Sequence, residues 1–293
     1  MSIGTIVAAL ALETESDPVA GRALQLARRH EARLVLVHAV EGDLPHEPGL
    51  PGSLDAAALK RMLEQDAADR IGRLIGGAPG TATEIVVSAG KPHRIIEEVA
   101  EREGAGLVVI GPGKARNLRE KVFGSTADRI VRSMQRPVLV VRSPRADPYR
   151  RLVVAADFSA ASQAAAEAAL SLAPEAAVEL VHAVDTPLAF EQAMRRAGTP
   201  QAEIDRYLRA RAGEARARIS AAFAGTIAAA AARPRLRIVD GPAGAALVRI
   251  SRSGRADLIA LGTQGGNAIS QALLGSVARH VLRAAGCDVL VSA

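Results

Sequence analysis

The second half of this chain repeats the first. Gly90 and Gly241, Leu107 and Leu258, Gly111 and Gly262, Gly124-Ser125 and Gly275-Ser276, Arg132 and Arg283, and Val138-Leu139-Val140 and Val289-Leu290-Val291 all stand at one constant offset. Earlier in each half, with small gaps, Val37-His38-Ala39-Val40 matches Val181-His182-Ala183-Val184, and Ile6-Val7-Ala8-Ala9 matches Val153-Val154-Ala155-Ala156. Self-similarity over so long a stretch describes a duplicated domain, not a short stacking unit. The connection Ser143–Pro148 carries Pro144 and Pro148, which break regular structure. The expected domains are therefore residues 1–143 and 149–293.

Each half alternates short β-branched apolar runs with Ala-rich helical patterns. In the second half the strands are expected at about Arg151–Ala156, Val178–Val184, Arg235–Val239, Asp257–Gly262 and Val289–Ser292. Helices are expected at Ala160–Leu172, Pro200–Phe223, Ala243–Ser253 and Ser276–Ala285. In the first half, Asp17-Pro18 has the form of a helix start, a capping carboxylate before Pro at the first helical position. Alternation of this kind predicts βαβ units, so the fold class is α/β, with two tandem Rossmann-like doubly wound domains, each on a five-stranded parallel sheet. Hydrophobic residues make up 49% of the chain but aromatics only 2%, with no Trp. Such a core is aliphatic and Ala-rich, as suits parallel strands covered on both faces.

Charge and composition narrow the function. The net charge of +6 is carried by Arg, yet there are few aromatics on which bases could stack, so nucleic acid is not the expected partner. Arg206, Arg209, Arg216 and Arg218 fall at helical spacing and read as solvated faces. No run reaches the roughly 18 apolar residues of a membrane helix. The first residues lack the basic flank and apolar length of a secretion signal, and the lone Cys287 permits no intrachain disulfide, so a cytoplasmic protein is expected. Cys287 itself, beside Asp288-Val289-Leu290-Val291, reads as a small buried hydrophobe.

The most informative segment runs from Leu258 to Val277. A buried strand ends at Gly262, a loop through Thr263, Gly265, Gly266 and Asn267 follows, and a helix begins near Gly275-Ser276. Gly262 and Gly265 would let the backbone approach a ligand and adopt positive φ. Unpaired N–H groups and the helix dipole at the next helix start favour an anion, and the Ser276 hydroxyl adds a donor. Asp157 stands at the end of the domain's first strand, and ligands of doubly wound sheets bind outside the carboxyl ends of strands where the order reverses. Its carboxylate suits a base amino group or a ribose hydroxyl. Capping the next helix is the competing role, open to Asp157 and Ser159 alike.

These residues resemble the universal stress protein family in its tandem two-domain form. Gly262, Gly265, Gly275 and Ser276 fit the spacing of the family's nucleotide-binding members without a gap. Asp157-Phe158-Ser159 is similar to the end of their first strand, and Val181-His182-Ala183 to their second. Cys287-Asp288-Val289-Leu290-Val291 is similar to their last strand, with Asp288 where Pro is usual; the first half keeps it in Arg136-Pro137-Val138. The resemblance implies ATP or AMP as ligand, with or without Mg²⁺, held by Ala155, Asp157, Ser159, Ala183, Gly262, Thr263, Gly265, Gly266, Asn267, Gly275, Ser276 and Val277. It also implies antiparallel pairing of the last strands of two domains, here an intrachain pseudo-dimer. The first half departs from the pattern: Leu10 or a neighbour replaces the carboxylate, and Pro112 and Lys114 interrupt the glycine loop. It is expected to bind nucleotide weakly or not at all, with capture of an anion by Lys114 as the sharper alternative.

Other chemistries find little support. The six histidines, His30, His38, His46, His93, His182 and His280, show no metal-ligand spacing, and His38 and His182 read as satisfied strand residues. Walker, dinucleotide and nucleophile-elbow motifs are absent, and Ser276 has no evident base. The segments Glu41–Ser53 and Asp185–Pro200 read as long loops, either lids or plain connections. The expected protein is a stress-response regulator that binds adenine nucleotide through its second domain and is not an enzyme, with slow ATP hydrolysis left open. Its further partners would be a second copy of the chain or a regulatory protein. The alternative is an interaction scaffold of the same fold that binds no nucleotide.

Overall fold

The computed structural model describes residues 3–13, 17–40, 56–76, 80–113, 123–184, 188–231, 233–264 and 274–293. The chain divides into two compact units, Met1–Pro148 and Tyr149–Ala293.

The first unit comprises β1 (Thr5–Ala9), α1 (Pro18–His30), β2 (Arg33–Val40), α2 (Ala56–Ile75), β3 (Thr83–Ala89), α3 (Pro92–Arg102), β4 (Leu107–Ile110), α4 (Ser125–Ser133) and β5 (Val138–Val140). Its strands lie in the order β3-β2-β1-β4-β5, each pair parallel. The second unit comprises β6 (Arg151–Ala155), α5 (Ala160–Leu172), β7 (Ala177–Val184), α6 (Leu188–Arg196), α7 (Gln201–Ala222), α8 (Ala224–Ala229), β8 (Arg235–Asp240), α9 (Ala243–Arg252), β9 (Leu258–Gly262), α10 (Ser276–Ala284) and β10 (Asp288–Ser292). Its order, β8-β7-β6-β9-β10, is the same pattern, again all parallel. The chain lays its first strand in the middle, builds outward on one side, then crosses to the other. The strand order therefore reverses between β1 and β4, and between β6 and β9, which opens a crevice at their carboxyl ends.

The central strands are apolar on both faces because helices cover both. Leu258, Ile259 and Ala260 of β9 and Val154 of β6 have no measurable exposure, and Leu261 is 2% exposed. Local chemistry sets the helix starts. The Asp17 carboxylate accepts the Val19 N–H at 2.8 Å, with Pro18 in the first turn. The Ser159 hydroxyl caps α5 by accepting the Ser162 N–H at 3.1 Å. Cys287 is buried, and fully buried Asp288 accepts the Tyr149 hydroxyl at 2.6 Å.

Three details differ from the sequence expectation. Residues 188–196 of the segment expected as a loop form α6, whose turns were hidden between the breakers Pro187 and Gly198-Thr199-Pro200. The long helix expected at Pro200–Phe223 ends at Ala222; buried Phe223 leaves helical geometry at φ −105, ψ 21, and α8 follows. The third is register. The Leu10 N–H donates to the Val37 carbonyl and the Ala156 N–H to the Val181 carbonyl, both at 2.9 Å. Ala9 is therefore the counterpart of Ala155, one residue away from the pairing read in the sequence. Strands buried on both faces have no polar alternation to fix their alignment.

Candidate functional site

The crevice of the second unit is built at the ends of β6 and β9. β6 gives way to Ala156, whose carbonyl lies 2.7 Å from the His182 Nδ1 of β7. A carbonyl only accepts, so this nitrogen carries the proton. The first unit has the same bond, His38 Nδ1 to the Leu10 carbonyl at 2.8 Å. Both histidines are satisfied structural residues that brace the exit of the first strand.

Asp157 follows. Its Oδ1 accepts the Ser159 N–H at 3.0 Å and the Ser159 hydroxyl at 2.5 Å. Ser159 thus fixes the carboxylate while also capping α5. Phe158 between them is left-handed, φ 69, as is its counterpart Leu12 at φ 53, so this kink belongs to the repeated fold. By the same correspondence Ala11 occupies the place of Asp157 in the first unit.

On the other side, the Thr263 N–H donates to the Ser292 carbonyl and the Thr263 carbonyl accepts the Gly275 N–H, both at 2.8 Å. These bonds hold the end of β9, the end of β10 and the start of α10 together. Gly275 is the N-cap and brings no side-chain cap, and no acidic residue lies in the first turn of α10. The amides of Ser276, Val277 and Ala278 have no partner within the helix and face an end with positive dipole character.

Between these walls lies a cavity of about 610 Å³. Ala155, Asp157, Ala183, Gly262, Thr263, Gly275, Ser276 and Val277 all line it. Ser159 does not, and acts through Asp157. Gly265, Gly266 and Asn267 lie outside the described residues, as does Lys114 in the first unit.

The reason for Gly262 is not the one expected. It is not among the positive-φ glycines, and a Cβ built on it would sit 2.8 Å from the Ala161 Cβ and 3.0 Å from the Ser162 nitrogen. The first turn of α5 needs that space, so helix packing by itself requires a glycine here, without a positive φ.

Sequence reasoning missed the rim. The Arg218 guanidinium of α7, read as one of several solvated arginines, stands 4.2 Å from the centre of the Phe158 ring, which itself tilts against His182 at 4.7 Å. All three line the cavity, with Ala243 and Leu247 of α9 as an apolar wall. Nothing in the pattern of α7 distinguished Arg218 from Arg216; only the packing of α7 beside β7 does.

The first unit keeps the frame of this site but not its chemistry. The Gly124 N–H donates to the Pro112 carbonyl at 2.9 Å, as Gly275 does to Thr263. Pro112 has no N–H to repeat the bond that Thr263 makes to β10. Asp128 lies in the first turn of α4, paired with Arg132 at 2.8 Å, where α10 carries Arg279.

The universal stress protein family model matches residues 2–142 and again residues 148–292. The chain belongs to the universal stress protein family. Among curated universal stress proteins, universal stress protein A homolog 2 of Coxiella burnetii is 28% identical over 138 residues, 47% of this chain and 93% of that protein. A universal stress protein structure from Archaeoglobus fulgidus covers 100% of this chain and 99% of its own at 16% identity, with a TM-score of 0.68. A universal stress protein solved in complex with cAMP is 22% identical, covering 48% of this chain and 98% of its own, with a TM-score of 0.35. Family membership and the tandem α/β architecture therefore stand together. No helix among the described residues is long and apolar enough to cross a membrane.

Proposed function

We propose that the second unit binds an adenine nucleotide, ATP or AMP, in the crevice between β6 and β9 and serves as a ligand-responsive regulator. One observation carries the reading. A single cavity brings a fixed carboxylate, Asp157, within the same walls as an uncapped helix start at Ser276 and Val277. The donor set suits the ligand: a carboxylate accepts from a base amino group or ribose hydroxyl, and free amides with a helix dipole hold phosphate oxygens. The volume is of the size that small-ligand sites occupy, roughly 300–1,000 Å³. Among the described residues no group of His, Cys, Asp or Glu is arranged to hold a metal, so Mg²⁺ would arrive on the phosphates.

Binding rather than turnover is supported by how the polar groups are used. The His182 Nδ1–H serves the Ala156 carbonyl, and the hydroxyl held by Asp157, that of Ser159, also caps α5 and does not line the cavity. The scaffold reading draws its support from Gly262 and Ser159, which already have structural duties without any ligand. Calorimetric titration of ATP, AMP and cAMP into wild type and Asp157→Asn separates the two. Asn keeps an acceptor for Ser159 but removes the charge, so affinity is expected to fall about tenfold. Equal affinity in both proteins, or no binding by wild type, removes the assignment. Mass spectrometry of nucleotide released from freshly purified protein identifies the natural occupant.

A further inference from the structure

The side chain at the rim of the cavity that no known motif of the chain accounts for is Arg218. It is exposed, and among the described residues it has neither hydrogen bond nor ion pair; its guanidinium lies over the face of Phe158. A guanidinium offers five donors, no acceptor and a flat weakly hydrated face. It therefore presents unanswered donors and a stacking plane at the mouth of a cavity that already holds one carboxylate.

Position says which part of a ligand it meets. The anion end is at α10, beside β9, whereas Arg218 comes from α7, which follows β7 and packs on it. β6 lies between β9 and β7, and two strand spacings amount to about 10 Å. A phosphate seated on the amides of Ser276 and Val277 thus leaves the opposite end, bounded by Asp157, Phe158 and Ala183, for the base. Phe158 is held there by its left-handed backbone and by His182, so it is a fixed platform for the guanidinium.

We propose that Arg218 is a ligand-contacting residue of the base end, its guanidinium resting on Phe158 and packing against the nucleobase rather than the phosphate chain. This rests on the nucleotide reading given above and adds a cationic contact to the recognition of the base. Arg offers bases both a stacking plane and in-plane donors.

The test is calorimetric titration of ATP and AMP, with adenosine read by displacement of AMP, into wild type, Arg218→Ala and Arg218→Lys. Arg218→Ala is expected to weaken all three ligands by a similar factor, about three- to tenfold. Arg218→Lys stays weakened, because an ammonium has no planar face. The thermal midpoints of the apo variants, expected to match wild type at this exposed position, exclude a folding defect. Unchanged affinities overturn the proposal and leave the nucleotide reading intact. A loss confined to ATP and AMP moves Arg218 to the phosphates and also overturns it. Absence of binding by wild type to any of the three removes the nucleotide reading, and this inference with it.

Discussion

Gly262 and Gly275 belong to one motif, but the chain needs them for different reasons. A methyl group at 262 would press on the Ala161 Cβ at 2.8 Å, so Gly262→Ala must push the first turn of α5 away from β9. Overpacking of this sort costs about 1–3 kcal/mol, and the denaturant midpoint should fall accordingly even with no ligand present. Gly275 instead leaves a helix start without a side-chain cap. The charge close to that start distinguishes the two units. α4 has Asp128 where α10 has Arg279, and a carboxylate near a helix N-terminus answers the dipole that a phosphate would otherwise meet. Arg279→Asp is accordingly expected to weaken ATP and AMP by about two- to fivefold, since the interaction of charge with a helix end is worth about 0.3–1 kcal/mol at exposed sites. Because Arg279 is exposed, the loss should shrink as salt is raised, and adenosine should be unaffected. Titrations at two ionic strengths check both points.

At the scale of elements, much of the structure is legible in the sequence. α5 lies at Ala160–Leu172 as expected because Ser159 is a capping residue and the run behind it is almost pure helix former. β9 and α10 fall where the apolar run and Gly275-Ser276 put them. Less legible was whatever depends on neighbours in space. The alignment of β1 with β6 slipped by one residue because Ile6-Val7-Ala8 and Leu152-Val153-Val154 are buried on both faces and carry no alternating pattern. Two Pro-bearing breakers mask the turns of α6 in the sequence, and only the packing of α7 on β7 sets Arg218 apart from its neighbours. Asp257 is another such residue. At the opposite end of the crevice strands it accepts the Arg150 and Arg151 N–H groups at 3.0 Å each and the Arg151 guanidinium at 2.7 Å, which ties the start of β6 to that of β9. Partial burial pushes its pKa up, but the Arg151 side chain and the backbone donors outweigh this and hold it below the ordinary carboxylate value. A carboxyl lowered in the folded state contributes stability that is complete above its unfolded pKa of about 4 and is lost as pH falls through the lowered folded value. Asp257→Asn is therefore expected to reduce stability by about 1 kcal/mol at neutral pH. The gap from wild type should close in acid. Urea melts at pH 7 and near pH 3 test the sign.

For the whole molecule, duplication and divergence give the nucleotide reading a definite expected stoichiometry. Both units keep the strand order, the left-handed residue after the first strand and the histidine that braces it. Those are requirements of the fold, so they survive in either copy. What differs is the chemistry in and beside the cavity: Ala11 for Asp157 and Pro112 for Thr263 in its lining, and Asp128 for Arg279 near the helix start. Each change removes an acceptor, removes a donor or places negative charge near the helix start, and all three lie in the first unit. Titration of ATP should therefore give one site per chain, not two. A ligand at 100 times its Kd stabilises the state that binds it by about 2.7 kcal/mol, and that gain should fall to about 1.4 kcal/mol in the Asp157→Asn protein, with its roughly tenfold higher Kd, at the same ligand concentration. Full stabilisation that persists in Asp157→Asn would remove that carboxylate from the site, and two equivalent sites would mean that the first unit binds nucleotide without a carboxylate at position 11. The chemical distinction between the two copies would then have no functional meaning.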